Sequence, residues 1–259
     1  MKAEAFGLSD VGRRRDSNED DFLLEPALGL YAVADGMGGH AAGEIASRLA
    51  IETLQEVLRR DGAAADRMGV DAAGAWLRDA VGEANHRICD SIRLHEERRG
   101  MGTTVVALVH SGNEAIIGHV GDSRVYLLRG AELHRLTSDH SWVNEQVKLG
   151  LMSDDTAQRH PMRNIVTRAL GSRLDVQVDL VTVPIRTGDV AILCSDGLNT
   201  MLSDDDIRSL ALKHRDRPEA ACRALVHAAN LHGGEDNVTV VVVRFSNGSP
   251  GGAESPEGA

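Results

Sequence analysis

Three apolar runs near the middle of the chain follow one another with very short connections. They cover residues 103–110, 114–120 and 124–129, and each is rich in Val, Ile or Leu. Connections this short join antiparallel neighbours, because a parallel pair of strands needs a crossover of about a dozen residues or more. The chain is therefore expected to build antiparallel sheets, and a doubly wound parallel sheet is disfavoured.

Other segments complete this architecture. Two helical patterns, 43–60 and 71–97, each place apolar residues on one face, which suits a helix pair covering a sheet. Shorter helices are predicted near 141–149, 153–160, 203–211 and 218–230. Further strands are predicted at 21–25, 30–34, 176–183, 189–194 and 238–245. We expect an α+β fold, a β-sandwich of two antiparallel sheets flanked by helix pairs in four layers, α/β/β/α.

Composition excludes several classes of function. Asp and Glu number 39 against 28 Lys and Arg, a net charge of −11, which argues against binding to nucleic-acid phosphates. Aromatic residues make up only 3%, too few for base-stacking surfaces. Three dispersed cysteines, with no signal peptide or membrane-length apolar run, favour a cytoplasmic protein without a membrane partner.

Aspartates occur where the predicted strands end or begin. Because antiparallel neighbours run in opposite directions, the end of one strand lies beside the start of the next, and these side chains should converge on one sheet edge. Those that follow a strand are Asp35, Asp122 and Asp196, and those that precede one are Asp20 and Asp236.

Converging carboxylates repel one another unless protons or cations neutralise them. Oxygen ligands suit Mg²⁺ or Mn²⁺, and two such ions about 3.5–4 Å apart can share a hydroxide that hydrolyses a phosphoester. Each Asp-Gly pair taken alone is also a common turn dipeptide. From spacing alone, a metal site and a set of ordinary turns both stay open.

Eight motifs, in order, resemble one known family. They are SDVGRRRDSNEDDF, VADGMGGHAAGEIAS, GMGTT, GHVGDSRVYLLR, LTSDHSWV, HPMRNIVTRALG, CSDGL and GEDNVTVVVV. Over about residues 5–245 the chain resembles the metal-dependent protein phosphatases (PPM), the type 2C serine/threonine phosphatases, and most closely their bacterial branch. The resemblance implies a β-sandwich with two Mn²⁺ or Mg²⁺ ions, and a weaker third, between its sheets.

The resemblance also implies roles for individual residues. Direct metal ligands would be Asp35, which bridges the two ions, the Gly36 carbonyl, Asp196, Asp236 and, for the third ion, Asp122. Glu19 and Asp20 would hold metal-bound waters. Arg15 corresponds to the arginine that binds the phosphoryl group, for which a guanidinium fork is suited. The alternative interpretation of Arg15 is an ordinary solvated arginine beside Arg13 and Arg14.

Two positions depart from the family pattern. Relatives with DGHGG carry a histidine, the proposed general acid, where this chain has Met37, so His40 becomes the candidate acid. An additional third-metal aspartate of some relatives is replaced by Thr200. The segment 139–171 corresponds to a short helical flap beside the active site, where His140, His160 and Arg163 are candidates for shaping substrate access or for holding the loop.

We therefore expect a single PPM-type domain over residues 1–246, followed by a flexible tail over 247–259. Its predicted function is hydrolysis of phosphoserine and phosphothreonine in proteins by a hydroxide that bridges two ions. A serine/threonine kinase of the same signalling pathway is an expected partner. One alternative is a catalytically silent regulator of the same fold that binds phosphoproteins, and another is an acidic interaction module whose charges are merely solvated.

Overall fold

Two antiparallel sheets form the centre of the molecule. The computed structural model describes residues 1–38, 42–61 and 68–247. The strands are β1 Lys2–Asp10, β2 Asp20–Glu25, β3 Leu30–Met37, β4 Gly102–Thr103, β5 Val105–Ser111, β6 Glu114–Val120, β7 Arg124–Arg129, β8 Glu132–Arg135, β9 Asp179–Pro184, β10 Val190–Cys194 and β11 Val238–Ser246. The first sheet has the strand order β1-β11-β10-β7-β8, and the second has the order β2-β3-β5-β6-β9, with β4 beside β3.

Helices cover the outer faces of both sheets. The helices are α1 Ala42–Asp61, α2 Val70–Leu94, α3 Trp142–Lys148, α4 Asp154–Gln158, α5 Asp196–Asn199, α6 Asp204–Lys213 and α7 Pro218–Leu231, and a short 3₁₀ turn spans Glu96–Arg98. Helices α1 and α2 pack on the second sheet, while α6 and α7 pack on the first. In the described part of the chain, no helix is both long and apolar enough to cross a membrane.

Three layers of buried side chains hold these elements together. The middle layer lies between the sheets and includes Tyr31, Val106, Leu108, Val241 and Phe245, all of them almost fully buried. Each sheet also presents its other face to a helix pair, which produces the two outer layers. The prediction of a four-layer α/β/β/α sandwich is confirmed, because every strand pairing is antiparallel and helices lie on both sides.

The sequence patterns did not predict strand β1, and several predicted strand and helix boundaries differ from those in the structure. Strand β1 pairs with β11 along its whole length, from Lys2 opposite Ser246 to Asp10 opposite Val238. It is an edge strand in which no residue is fully buried, and its sequence lacks a strong apolar alternation. The run 103–110 divides into β4 and β5 at Thr104, whose N–H donates to the Asp35 carbonyl instead of continuing a ladder.

The flap consists of α3 and α4 with the segments around them. Both helices begin at the serines expected from the sequence, since Ser141 Oγ accepts from Asn144 N–H and Ser153 Oγ accepts from Thr156 N–H. The predicted flexible tail lies outside the described residues, apart from Asn247.

Removing packing from the middle layer is expected to destabilise the whole sandwich. Leu108→Ala should lower the free energy of unfolding by about 2–5 kcal/mol, since a buried leucine loses its contacts and leaves a cavity. Leu94→Ala is the matched control, because Leu94 is 77% exposed. Urea denaturation measures both, and similar small losses in the two variants would contradict this assignment of the core.

Candidate metal centre

Five aspartates meet at one edge of the sandwich. Asp20 begins β2 and lies directly opposite Asp35 of β3. Asp196 follows β10, and Asp236 comes two residues before β11, the antiparallel neighbour of β10. Asp122 lies between β6 and β7. The convergence expected from antiparallel strand ends is therefore present, and it draws on both sheets.

Simultaneous ionisation of all the aspartate side chains at this edge is strongly unfavourable. Burial, followed by repulsion from Asp20, Asp196, Asp122 and Asp236, raises the pKa of Asp35 well above its ordinary value. Burial is also the first cause at the neighbouring sites: it raises the pKa of Asp20 to about 7, with a smaller contribution from Asp196 and Asp236. Burial and mutual repulsion therefore both favour protonation of these carboxyl groups when no cation is bound.

Asp122 and Asp196 show the same pattern. Burial and the charge of Asp196 raise the pKa of Asp122 to about 8, and burial and the charge of Asp236 raise the pKa of Asp196 to about 6. A hydrogen bond from Asp35 opposes part of the shift at Asp196. When no cation is present, one carboxyl group of such a pair therefore stays protonated, because the negative charge of its neighbour disfavours its ionisation.

The donor set at this edge fits a hard divalent cation. Asp20 Oδ2 accepts a hydrogen bond from Ser195 Oγ at 2.7 Å, whereas the buried Asp20 Oδ1 has no hydrogen-bond partner in the part of the chain that the structure describes. Clustered carboxylate oxygens are the ligands that Mg²⁺ and Mn²⁺ prefer, and zinc favours nitrogen or sulfur.

Gly36 is a glycine because its neighbours leave no room for a side chain. A Cβ there would stand only 2.3 Å from the Gly43 carbonyl oxygen and 2.5 Å from that of Glu19. The Gly36 N–H donates to the same Glu19 oxygen at 3.1 Å. Glu19 is thereby held beside the end of β3, and its carboxylate lies against Gly43 at the start of α1.

Arg15 lies at the rim of the cluster. Its Nη2 is 2.7 Å from Asp236 Oδ2, and half of its side chain is exposed. A guanidinium in this position faces solvent while remaining beside the carboxylates. Arg14 is exposed and makes no ion pair with any described residue.

Polar side chains that the sequence analysis did not select hold the aspartates in place. Ser195 Oγ accepts from the Thr239 N–H at 2.9 Å while it donates to Asp20. Asn237 donates to the carbonyls of Val11 and Ser17 and accepts from the Glu19 N–H. Ser195 directly precedes Asp196, and Asn237 directly follows Asp236. This adjacency in the sequence could have indicated that they support the aspartates.

His140 is buried beneath the flap. Its Nδ1 accepts the Gly121 N–H at 3.0 Å, and its Nε2 is 3.2 Å from Asp179 Oδ2. It stacks on His119 with the ring centroids 4.7 Å apart. Burial lowers the pKa of His140 to about 4. His140 therefore joins the base of the flap to the residue before Asp122.

The group His119, His140 and Asp179 also brings ligand-type atoms within 4.8 Å of one another. However, Nδ1 of His140 accepts a hydrogen bond from a backbone N–H, so Nε2 of the neutral ring carries the proton. This Nε2–H donates a hydrogen bond to Asp179. A protonated nitrogen has no lone pair for a cation. This group is a hydrogen-bonded support, and the aspartate cluster is the better candidate metal centre.

The remaining flap candidates are exposed or partly exposed. His160 packs beside Trp142 with the ring centroids 5.1 Å apart. Arg163 lines the same cleft as Asp122 and Asp196. Thr200 ends α5 next to that cleft. His40, the candidate general acid, lies outside the described residues.

Comparison with known proteins identifies the class. Residues 12–230 match the family model described as Protein phosphatase 2C. The protein phosphatase PhpP of Streptococcus pneumoniae is 39% identical over 246 residues, which cover 92% of this chain and 96% of PhpP. The chain belongs to the protein phosphatase 2C family, and the expectation of a protein-serine/threonine phosphatase is confirmed.

Solved structures agree with this assignment. The serine/threonine phosphatase PstP/Ppp of Mycobacterium tuberculosis superposes with a TM-score of 0.87 at 36% identity, covering 95% of this chain and all of that chain. The catalytic domain of PstP in complex with two manganese ions gives a TM-score of 0.83 at 36% identity, covering 95% and 99%. The expected fold is confirmed, and the expected pair of ions agrees with this relative.

The raised carboxyl pKa values predict how the metal-free protein responds to pH. A carboxyl whose pKa is higher in the folded state stabilises the fold below its unfolded pKa and loses that contribution as the pH rises through the folded value. Because one pKa unit corresponds to about 1.4 kcal/mol, raising the pH from about 4 to 8 should cost the metal-free protein at least about 1 kcal/mol.

Asp35→Asn is the variant that isolates this effect. It removes a carboxyl group whose ionisation is opposed by burial and by four other aspartates, so the metal-free variant should melt at a higher temperature than the wild type at pH 8. Thermal melts at pH 5 and 8, with and without Mn²⁺, measure the response. Mn²⁺ should raise the melting temperature of the wild type more than that of the variant. Identical Mn²⁺ shifts in both proteins would contradict the assignment.

Proposed function

We propose that this chain hydrolyses phosphoserine and phosphothreonine in proteins with the help of two Mn²⁺ or Mg²⁺ ions. The observation that carries the proposal is the convergence of five aspartates, of which only Asp236 forms an ion pair among the described residues, with Arg15, in a chain of the protein phosphatase 2C family. The proposal assigns this activity to residues 1–246 as a single domain.

Asp35, Asp196 and Asp236, with the Gly36 carbonyl, would hold the two ions, and Asp122 would contribute to a weaker third. When bound, such ions make a water molecule acidic enough to supply the nucleophile near neutral pH. Glu19 and Asp20 would orient metal-bound waters, a task for which the hydrogen bonds from Ser195 and around Asn237 prepare them.

Arg15 would bind the phosphoryl group. Its contact with Asp236 keeps the guanidinium beside the carboxylates, and its half-exposed side chain leaves donors available to a phosphate arriving from solvent. Two parallel N–H donors can hold two phosphoryl oxygens and stabilise the charge that develops during transfer. His40 remains the candidate donor of a proton to the leaving oxygen.

The silent-regulator alternative is disfavoured because the homologous proteins are phosphatases and the carboxylates expected to hold the two ions, Asp35, Asp196 and Asp236, are all present in this chain. The solvated-module alternative does not account for partly buried aspartates with raised pKa values. We further propose a cytoplasmic signalling role, in which the substrates are proteins phosphorylated by a serine/threonine kinase.

Phosphate release from a phosphothreonine peptide in the presence of Mn²⁺ tests the proposal. Arg15→Gln should lower kcat/KM by about 10²-fold or more, which is the usual cost of losing a donor to transition-state charge. Arg14→Gln is the matched control and should retain wild-type kcat/KM, since Arg14 is a neighbouring exposed arginine.

Asp35→Asn provides the second arm of this experiment, and it should reduce turnover to the background rate. No Mn²⁺-dependent release by the folded wild type would refute the proposed function. Full activity in Asp35→Asn would refute the assignment of this aspartate to the metal centre.

A further inference from the structure

A cleft opens directly beside the candidate metal centre. It has a volume of about 500 Å³, and Asp122 and Asp196 lie among its lining residues. Flap residues, including Val143 and Val147, form one side, and the segment from Thr200 to Asp204 forms the other. A phosphorylated side chain at the aspartate cluster would therefore place its neighbouring residues in this cleft.

Four acidic side chains line the cleft, and each of them already has an opposing charge or an assigned task. Asp139 forms an ion pair with the largely buried Arg124 at 2.7 Å. Asp204 accepts from Tyr126 Oη at 3.0 Å and lies 3.9 Å from the same guanidinium. The other two acids, Asp122 and Asp196, belong to the candidate metal centre.

Among the residues that the structure describes, three arginines of the cleft have no acidic partner. Arg135 ends β8, and Arg159 and Arg163 belong to the flap. All three are exposed, and none forms an ion pair with any side chain that the structure describes. Some exposed arginines on the outer helices have acidic partners, as Arg60 has Glu83 and Arg223 has Glu219, whereas Arg78 of α2 has none among the described residues.

The lining of this cleft is less acidic than the chain as a whole, which has a net charge of −11. Acidic groups outnumber basic ones by 39 to 28 in the chain, whereas the described lining of the cleft holds four arginines and four aspartates. Guanidinium groups bind carboxylates and phosphates in a planar fork, and they attract such groups from solution.

We propose that this cleft selects phosphopeptides whose phosphorylated residue is flanked by anionic side chains. The inference rests on the proposed phosphatase function and specifies the substrate class of the same site. The anionic groups would be Asp or Glu carboxylates or a second phosphate, bound by Arg135, Arg159 and Arg163. Apolar surface from the partly exposed Val147 and Met201 would contact the rest of the peptide.

Competition between matched peptides tests this selectivity. Phosphothreonine peptides of one length carry Glu, Gln or Lys at the flanking positions, and a fourth carries a second phosphoserine. The Glu peptide should be hydrolysed with a kcat/KM about 5- to 30-fold above that of the Gln peptide, since exposed ion pairs contribute modestly and three arginines act together. The fourth peptide distinguishes phosphate from carboxylate as the preferred anion.

The arginines are tested together and singly. The triple variant Arg135→Gln, Arg159→Gln and Arg163→Gln should reduce the Glu-to-Gln ratio to below about twofold, and Arg135→Gln alone should reduce it in part. Arg78→Gln is the matched control, because Arg78 is an exposed arginine of α2, lies outside this cleft and forms no ion pair with a described residue. Raising the NaCl concentration from 0.05 to about 0.5 M should lower the wild-type ratio, because salt screens exposed charges.

The possible failures are distinguishable. No Mn²⁺-dependent release from any of the peptides would overturn the proposed function itself. Equal kcat/KM on the Glu and Gln peptides, or an unchanged ratio in a folded triple variant, would overturn only the selectivity. If the triple variant does not fold, the wild-type ratio and the Arg135→Gln variant decide the question.

Discussion

Electrostatic repulsion among five aspartates is the constraint on which the rest of the structure depends. Each of the aspartates occupies the end or the start of a strand, so the antiparallel pairing that builds the sandwich also forces the carboxylates together. Burial, with the repulsion adding to it, raises the pKa values of Asp20, Asp35, Asp122 and Asp196. The fold supports such a cluster where cations bind, because bound cations turn the repulsion into a favourable interaction.

The surroundings of the cluster are organised to keep it in place. Ser195 and Asn237 fix its acidic residues from the first sheet, and the base of the flap is fastened beside Asp122 from the other side. His140 and Gly121 exchange backbone and side-chain hydrogen bonds, and Arg168 donates to Asp179 at 2.6 Å. These hydrogen bonds hold the base of the flap beside the aspartates. The exposed Arg159 and Arg163 of the flap lie in the cleft that would receive the phosphopeptide.

Much of the fold was predictable because it follows from local patterns. Short connections between apolar runs indicated antiparallel sheets, and the position of aspartates at strand ends indicated their convergence. Strand β1 escaped prediction because an edge strand needs little apolar character, and its pairing with β11 is a contact between opposite ends of the chain. His140 left two interpretations open, and only its burial and its bond to Gly121 distinguish support from substrate contact. Tertiary contacts of this kind leave no periodic trace in a sequence.

The central claim is that the aspartate edge binds two divalent ions between the sheets. Anomalous X-ray diffraction from crystals grown with Mn²⁺, with data collected at the manganese absorption edge, tests it most directly. The account predicts two strong anomalous peaks among Asp35, Asp196 and Asp236, with any weaker third peak next to Asp122. Peaks confined to the protein surface or to the His119, His140 and Asp179 group, with none at the aspartate edge, would contradict it.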